Sequence, residues 1–159
     1  MPSSAPSSPA DARAMPRRDW FAAIVRGLRD GLPTEFAAFD STIGTALLKI
    51  AYGNPRIHYE VWPDSARGHL ELALHFEDGP ASTAAYLRWF DREIVALKHD
   101  LGVTLELERW TLSWGRVYEL RPLPRLDAAS AAEAAARLAR LIAALQPLVE
   151  AAGVPPERR

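Results

Sequence analysis

The stretch IHYEVWPDSARGHLELALHFE, residues 57–77, decides how the rest of the chain is read. Ile57, Tyr59 and Val61 alternate with His58, Glu60 and Trp62, and Leu70, Leu72, Leu74 and Phe76 alternate with His69, Glu71, Ala73, His75 and Glu77. Successive side chains of a strand point to opposite faces, so a strict period of two marks a strand with one buried face. The intervening PDSARG holds a proline, an aspartate and a glycine, the residue types that turns use. An antiparallel hairpin is expected.

Outward from this hairpin the pattern stays regular. TALLKIAY (45–52) suits a buried strand or a helix, and the turn signal Gly53-Asn54-Pro55 favours the strand. Ahead of it, Asp19 is the expected N-cap of a helix carrying Trp20, Ile24 and Leu28, stopped by Gly31 and Pro33, with Phe36 and Phe39 on a short helical turn. Behind the hairpin, Gly79-Pro80 opens a long helix with Ser82 as candidate cap, Leu87, Phe90, Ile94, Leu97 and Leu101 on one face, and Gly102 at its end. VTLELERW (103–110) and TLSWGRVYEL (111–120) alternate again, with a turn or bulge at 113–115, before Pro122 and Pro124 end the sheet. Ser130 and Glu133 have capping-box spacing at the head of an Ala-rich helix, with Leu138, Leu141, Ile142, Leu145, Leu148 and Val149 as its apolar stripe, a kink at Pro147 and a stop at Gly153. The expected fold is α+β: a two-layer αββαββα sandwich, with four or five antiparallel strands and helices packed mainly on one face.

At 159 residues, 48% hydrophobic and 25% charged, the chain suits one globular domain, expected over residues 17–153 between disordered ends at 1–16 and 154–159. Met15 is an alternative start, which leaves open whether residues 1–14 are translated. Residues 1–16 hold no apolar signal region and no run approaches a membrane span, so a cytoplasmic location and no membrane partner are expected. A net charge of -1 disfavours nucleic acid as a partner, and the thin stripe of Arg13, Arg17, Arg18, Arg26 and Arg29 is expected to be solvated. The absence of cysteine excludes disulfides, thiol nucleophiles and Cys-ligated metals. No phosphate-binding glycine loop, nucleophile elbow or H-E-x-x-H motif occurs, and no cofactor is assigned.

The polar phase of the hairpin carries the chemistry. Closed symmetrically about PDSARG, it sets Trp62 opposite His69, Glu60 opposite Glu71 and His58 opposite Ala73, with His75 one step beyond. One face then carries His58, Glu60, Glu71 and His75, with Glu77 a further candidate at its end. The first four have the donor types and proximity of a divalent-metal site, and the same face offers paired carboxylates for acid–base work as the alternative. A solvated polar face explains the same residues more simply, since an antiparallel sheet covered on one side leaves its other side wet. Glu60 facing Glu71 would repel, with Arg56, Arg116 or water to relieve it.

Five tryptophans form the second constellation. Trp20 and Trp89 suit helix packing, whereas Trp62, Trp110, Trp114, Arg116 and Tyr118 share the face of the glutamates. Aromatics interleaved with charges suit base stacking, peptide binding or a dimer interface, and the carboxylates on that face disfavour the first because they repel phosphate. The segments IHYEVW, LELALHFE, ALKHDLG, VTLELERW and RVYEL together resemble a bacterial family of domains of unknown function, found alone or appended to restriction- and nuclease-associated proteins. That resemblance, over about residues 57–121, implies a small α+β domain in a DNA-linked context and assigns no catalytic residue. The expected function is a non-enzymatic binding or dimerisation module using the face of His58, Glu60, Trp62, His69, Glu71, His75, Trp110, Trp114, Arg116 and Tyr118. Its expected partner is a second copy or another protein. The alternative is a metal-dependent hydrolase or nuclease-like enzyme on the same face.

Overall fold

The computed structural model describes residues 13–158. In chain order the elements are α1 (Arg17–Gly31), α2 (Thr34–Ala37), β1 (Asp40–Ile43), β2 (Leu48–Ala51), β3 (Ile57–Asp64), β4 (His69–Phe76), α3 (Gly79–Leu101), β5 (Glu106–Arg109), β6 (Gly115–Pro122) and α4 (Ala128–Ala152). The strands form one antiparallel sheet in the order β1-β2-β3-β4-β6-β5, and helices pack on it. The α+β class is as expected, with six strands in place of four or five. The extra strand, β1, has the sequence DSTI and is exposed throughout, so no apolar alternation announces it.

The central hairpin has a different register from the symmetric closure. Trp62 lies opposite Glu71, Glu60 opposite Ala73, His58 opposite His75 and Asp64 opposite His69. The cause is Asp64. Its Oδ1 accepts the N–H groups of Ala66 and Arg67 at 3.1 and 3.2 Å, its carbonyl accepts from Gly68, and Gly68 takes φ +71°. That pins the turn to residues 65–68 and draws Pro63 and Asp64 into the strand. The shift is two residues, and an even shift leaves every side chain on its expected face.

The apolar face is the core. Ile50, Tyr59, Val61, Leu72, Leu74 and Val117 are buried on it, and Phe76 stacks on Tyr86 of α3 at 4.9 Å and meets Phe90 at 5.4 Å. Burying one such ring is worth about 1.5–3 kcal/mol. The alanines of α4 serve close packing. A Cβ at Gly27 of α1 would lie 2.8 Å from the Ala135 Cβ, so α1 reaches α4 only because both contact residues are small.

The helix ends depart from expectation. α1 starts at Arg17 with Pro16 as N-cap rather than at Asp19, and it continues through Gly31. α3 starts at Gly79 behind Asp78, which leaves Ser82 inside the helix and buried. In α4 the box joins Asp127, not Glu133, to Ser130: Asp127 Oδ1 accepts the Ser130 N–H at 2.8 Å and Ser130 Oγ accepts the Asp127 N–H. Such a cap is worth about 1 kcal/mol. Helix α4 runs through Pro147 to a left-handed Gly153.

Ordered contacts extend past both expected ends of the domain. The Met15 N–H donates to Leu126 O, and the Glu157 N–H donates to the Asp78 carboxylate. The rest of the expected N-terminal tail, residues 1–12, lies outside the described residues. Among the described residues no helix is long and apolar enough to cross a membrane.

Candidate metal centre

The polar face of β3 and β4 is not wet. His58, Glu60, Glu71 and His75 are 1%, 5%, 1% and 3% exposed. Burying charge without partners costs several kcal/mol, so each of these groups must be matched by another.

The observed register supplies the matches. Because His58 and His75 are directly opposite, their rings stack, with centroids 5.6 Å apart and planes at 12°. His58 Nδ1 donates to the Pro55 carbonyl at 3.0 Å, and its Nε2 lies 2.9 Å from Glu60 Oε1. His75 Nδ1 lies 3.3 Å from Glu77 Oε1, and its Nε2 lies 3.3 Å from Glu71 Oε1 and 3.4 Å from Glu60 Oε2. Every ring nitrogen thus faces an acceptor. A bare nitrogen there would set its lone pair against a carboxylate, so each contact needs a proton or a cation between its partners.

The electrostatics agree. Burial pushes the His75 pKa down, but hydrogen bonds to Glu71 and Glu77 and the field of Glu60 prevail and raise it to about 9. Burial would raise the Glu71 carboxyl, yet its hydrogen bond with His75 and the adjacent Arg116 charge hold it below the usual range. Glu77 is likewise lowered, its burial outweighed by the His75 hydrogen bond and the nearby His58.

Arg116 is the counter-ion for Glu71, with Nη1 2.7 Å from Oε1. Its guanidinium lies between the rings of Tyr118 and Trp110, at 3.8 and 4.0 Å from their centroids. Arg56 is elsewhere, 4.0 Å from Asp78. The expected clash of Glu60 with Glu71 does not arise, because the two lie opposite Ala73 and Trp62 and meet only through His75.

Four residues, His58, Glu60, His75 and Glu77, each bring one ligand atom to within 4.8 Å of the others. This set replaces Glu71 of the expected quartet with Glu77, because Arg116 holds Glu71. Glu77 was legible in the alternation but falls one residue beyond the end of β4. His69 takes no part: it lies at the other end of β4, 3.7 Å from Asp64.

Above the centre is a cavity of about 350 Å3. Its floor is Glu60, His75 and Glu77, its walls are Leu47, Trp62, Trp110 and Trp114, and Lys49 completes the lining. Trp114 is not on the last strand as expected. It closes the 110–114 turn, where its carbonyl accepts from Trp110 and Thr111. The sequence does not mark Lys49 and Leu47 as site residues, because the short run TALLKIAY carries no decisive period. Leu48 and Ile50 face the core opposite Val61 and Tyr59, which sends Lys49 to the polar face opposite Glu60. Compared with known proteins, the chain matches no family model and no curated protein, so the site stands on its own geometry.

Proposed function

We propose that the protein is a non-enzymatic binding module that holds a divalent metal ion at His58, Glu60, His75 and Glu77. The observation that carries this is the convergence of two imidazoles and two carboxylates, with donor atoms within 4.8 Å of one another, on the paired strands β3 and β4 and the residue that follows them. Charge supports it. Glu60, Glu71 and Glu77 against Arg116 leave a surplus of two negative charges beside two imidazoles. Two protons or one divalent ion restore neutrality, and the ion satisfies the ring nitrogens equally well. His58 Nδ1, tied to Pro55, leaves Nε2 as its metal-facing atom, the outer-sphere arrangement usual for ligating histidine. Binding is favoured over hydrolysis because Arg116 holds Glu71, the carboxylate beside the cluster, which is thereby unavailable as a general base on a metal-bound water.

Titration with zinc or manganese should show micromolar or tighter affinity by calorimetry. At a hundredfold excess over Kd the gain is about 2.7 kcal/mol, seen as a rise in Tm of roughly 5–10 °C. His75→Ala should abolish the rise, and Glu77→Gln should weaken binding by roughly tenfold or more. Unchanged melting across several divalent ions would reject the metal centre.

A homodimer through the same face is the second reading, favoured by Leu112 at 72% exposure beside Trp110 and Trp114 at 46% each. Apolar groups clustered at one turn suit an interface better than water. Light scattering at micromolar concentration should then give twice the 17.6 kDa chain mass, with Trp62→Glu returning a folded monomer. A wild-type monomer would exclude it.

A further inference from the structure

The cavity and the metal centre share Glu60, His75 and Glu77, so what enters the cavity meets the ion. We infer that the protein binds a small planar organic carboxylate, its carboxylate placed between the metal and Lys49 and its ring among Trp62, Trp110 and Trp114. This rests on the metal centre proposed above.

Charge selects the anion. In the metal-free site Lys49 Nζ lies 3.9 Å from Glu60 Oε1, its only carboxylate neighbour among the described residues within salt-bridge distance. An ion bound to Glu60 and Glu77 takes up that negative charge and brings the buried cluster to neutrality. The ammonium of Lys49 then faces the cavity without a partner. One further negative charge completes the balance. Glu108 does not supply it, because it sits outside the cavity, 3.4 Å from Arg116 and hydrogen-bonded to Tyr118.

Access sets where the carboxylate goes. His58, 1% exposed, is absent from the cavity lining, whereas the other three ligands form its floor. Any position on the ion not taken by protein therefore opens toward the tryptophans. Manganese and similar ions prefer about six ligands, so four protein donors leave room for a carboxylate.

The walls select the ring. Trp110 and Trp114 lie 6.4 Å apart at 41°, and Arg116 on the Trp110 ring, 4.0 Å from its centroid, holds that wall in place. Offset and tilted aromatic contacts of this kind favour a flat apolar body. At 350 Å3 the cavity is at the small end of ligand sites, which run from about 300 to 1,000 Å3.

The full chain loaded with manganese is titrated with benzoate and 2-naphthoate, and with benzyl alcohol and benzylamine as neutral and cationic counterparts. Tryptophan fluorescence and calorimetry report binding, and the titrations are repeated on chelator-treated protein. Both carboxylates should bind the manganese form about tenfold or more tightly than the metal-free form, the scale of one lost charge-assisted contact. Lys49→Met, at a half-exposed side chain, should lose a similar factor in carboxylate affinity, while manganese, relieved of a cation 3.9 Å from Glu60, should bind at least as tightly as before. Equal binding of benzyl alcohol would overturn the inference, as would benzylamine binding more tightly than benzoate. If manganese binds and no carboxylate does, this inference fails and the metal centre stands. If manganese does not bind, both fail.

Discussion

Arg116→Met should destabilise the protein by about 3–5 kcal/mol, the cost of leaving a buried charge without its partner. Glu71 is 1% exposed, and its Oε1 accepts from Arg116 Nη1 at 2.7 Å. The substitution removes that partner and the cation between Trp110 and Tyr118, while methionine fills part of the space. His75 remains beside Glu71, but it also serves Glu60 and Glu77. At roughly 2–4 °C per kcal/mol for a domain of this size, Tm should fall by about 10 °C. Arg116→Lys should recover little, because an ammonium lacks both the planar stack and the forked donors. Adding Glu71→Leu to Arg116→Met should restore much of the loss, since the orphaned carboxylate is then gone. Denaturant unfolding of the two single variants and the double variant measures the coupling. A loss under about 1 kcal/mol for Arg116→Met would mean that solvent screens the pair as it does on a surface.

The metal-free protein should lose stability as pH rises from about 6.5 to 9. His75 has its pKa raised from 6.5 to about 9, so across that window the folded state binds a proton that the unfolded chain has released. The contribution is complete below 6.5 and gone above 9, and it amounts to roughly 3 kcal/mol. The acid side has the opposite sign. Glu71 and Glu77 are lowered from 4.5, so their contribution is present above that value and is lost as pH falls further. The plateau of stability therefore lies between about 4.5 and 6.5. Urea unfolding in a chelating buffer at pH 6 and pH 9 tests this. His75→Gln should be less stable at pH 6 and should show a much weaker decline toward pH 9. An equally steep decline in that variant would assign the effect to another group.

Both experiments concern residues 57–77 and the groups packed on them, and that stretch shows where sequence suffices. Residues 57–76 carry alternation over two full strands, so their pairing, their core face and the gathering of His58, Glu60, Glu71 and His75 on one surface were all legible. Face depends only on the parity of position, and the two-residue register shift conserved parity. The long helix ending at Gly102 was legible for the same reason, a stripe repeated over several turns. The strand β1 was not, because DSTI on an exposed edge has nothing to bury and therefore no pattern to show.

Only the tertiary structure decided which members of the polar face touch. That choice came from Asp64, whose side chain closes the turn and so sets His58 against His75. It came also from Arg116 on β6, three strands after β3 in the chain, which claims Glu71 and leaves Glu77 to complete the cluster with Glu60 and the two imidazoles. Sequence patterning reports burial, a property of each residue against its own neighbours in the chain. Contact between charged groups from β3, β4 and β6 depends on a register set by one turn and on a counter-ion from a distant strand, and neither leaves a periodic signal. The same holds for the closing of the face. The tryptophans at 62, 110 and 114 were visible as a surplus of rings on the polar side, but it is the fold that turns them into the walls of a cavity over buried carboxylates.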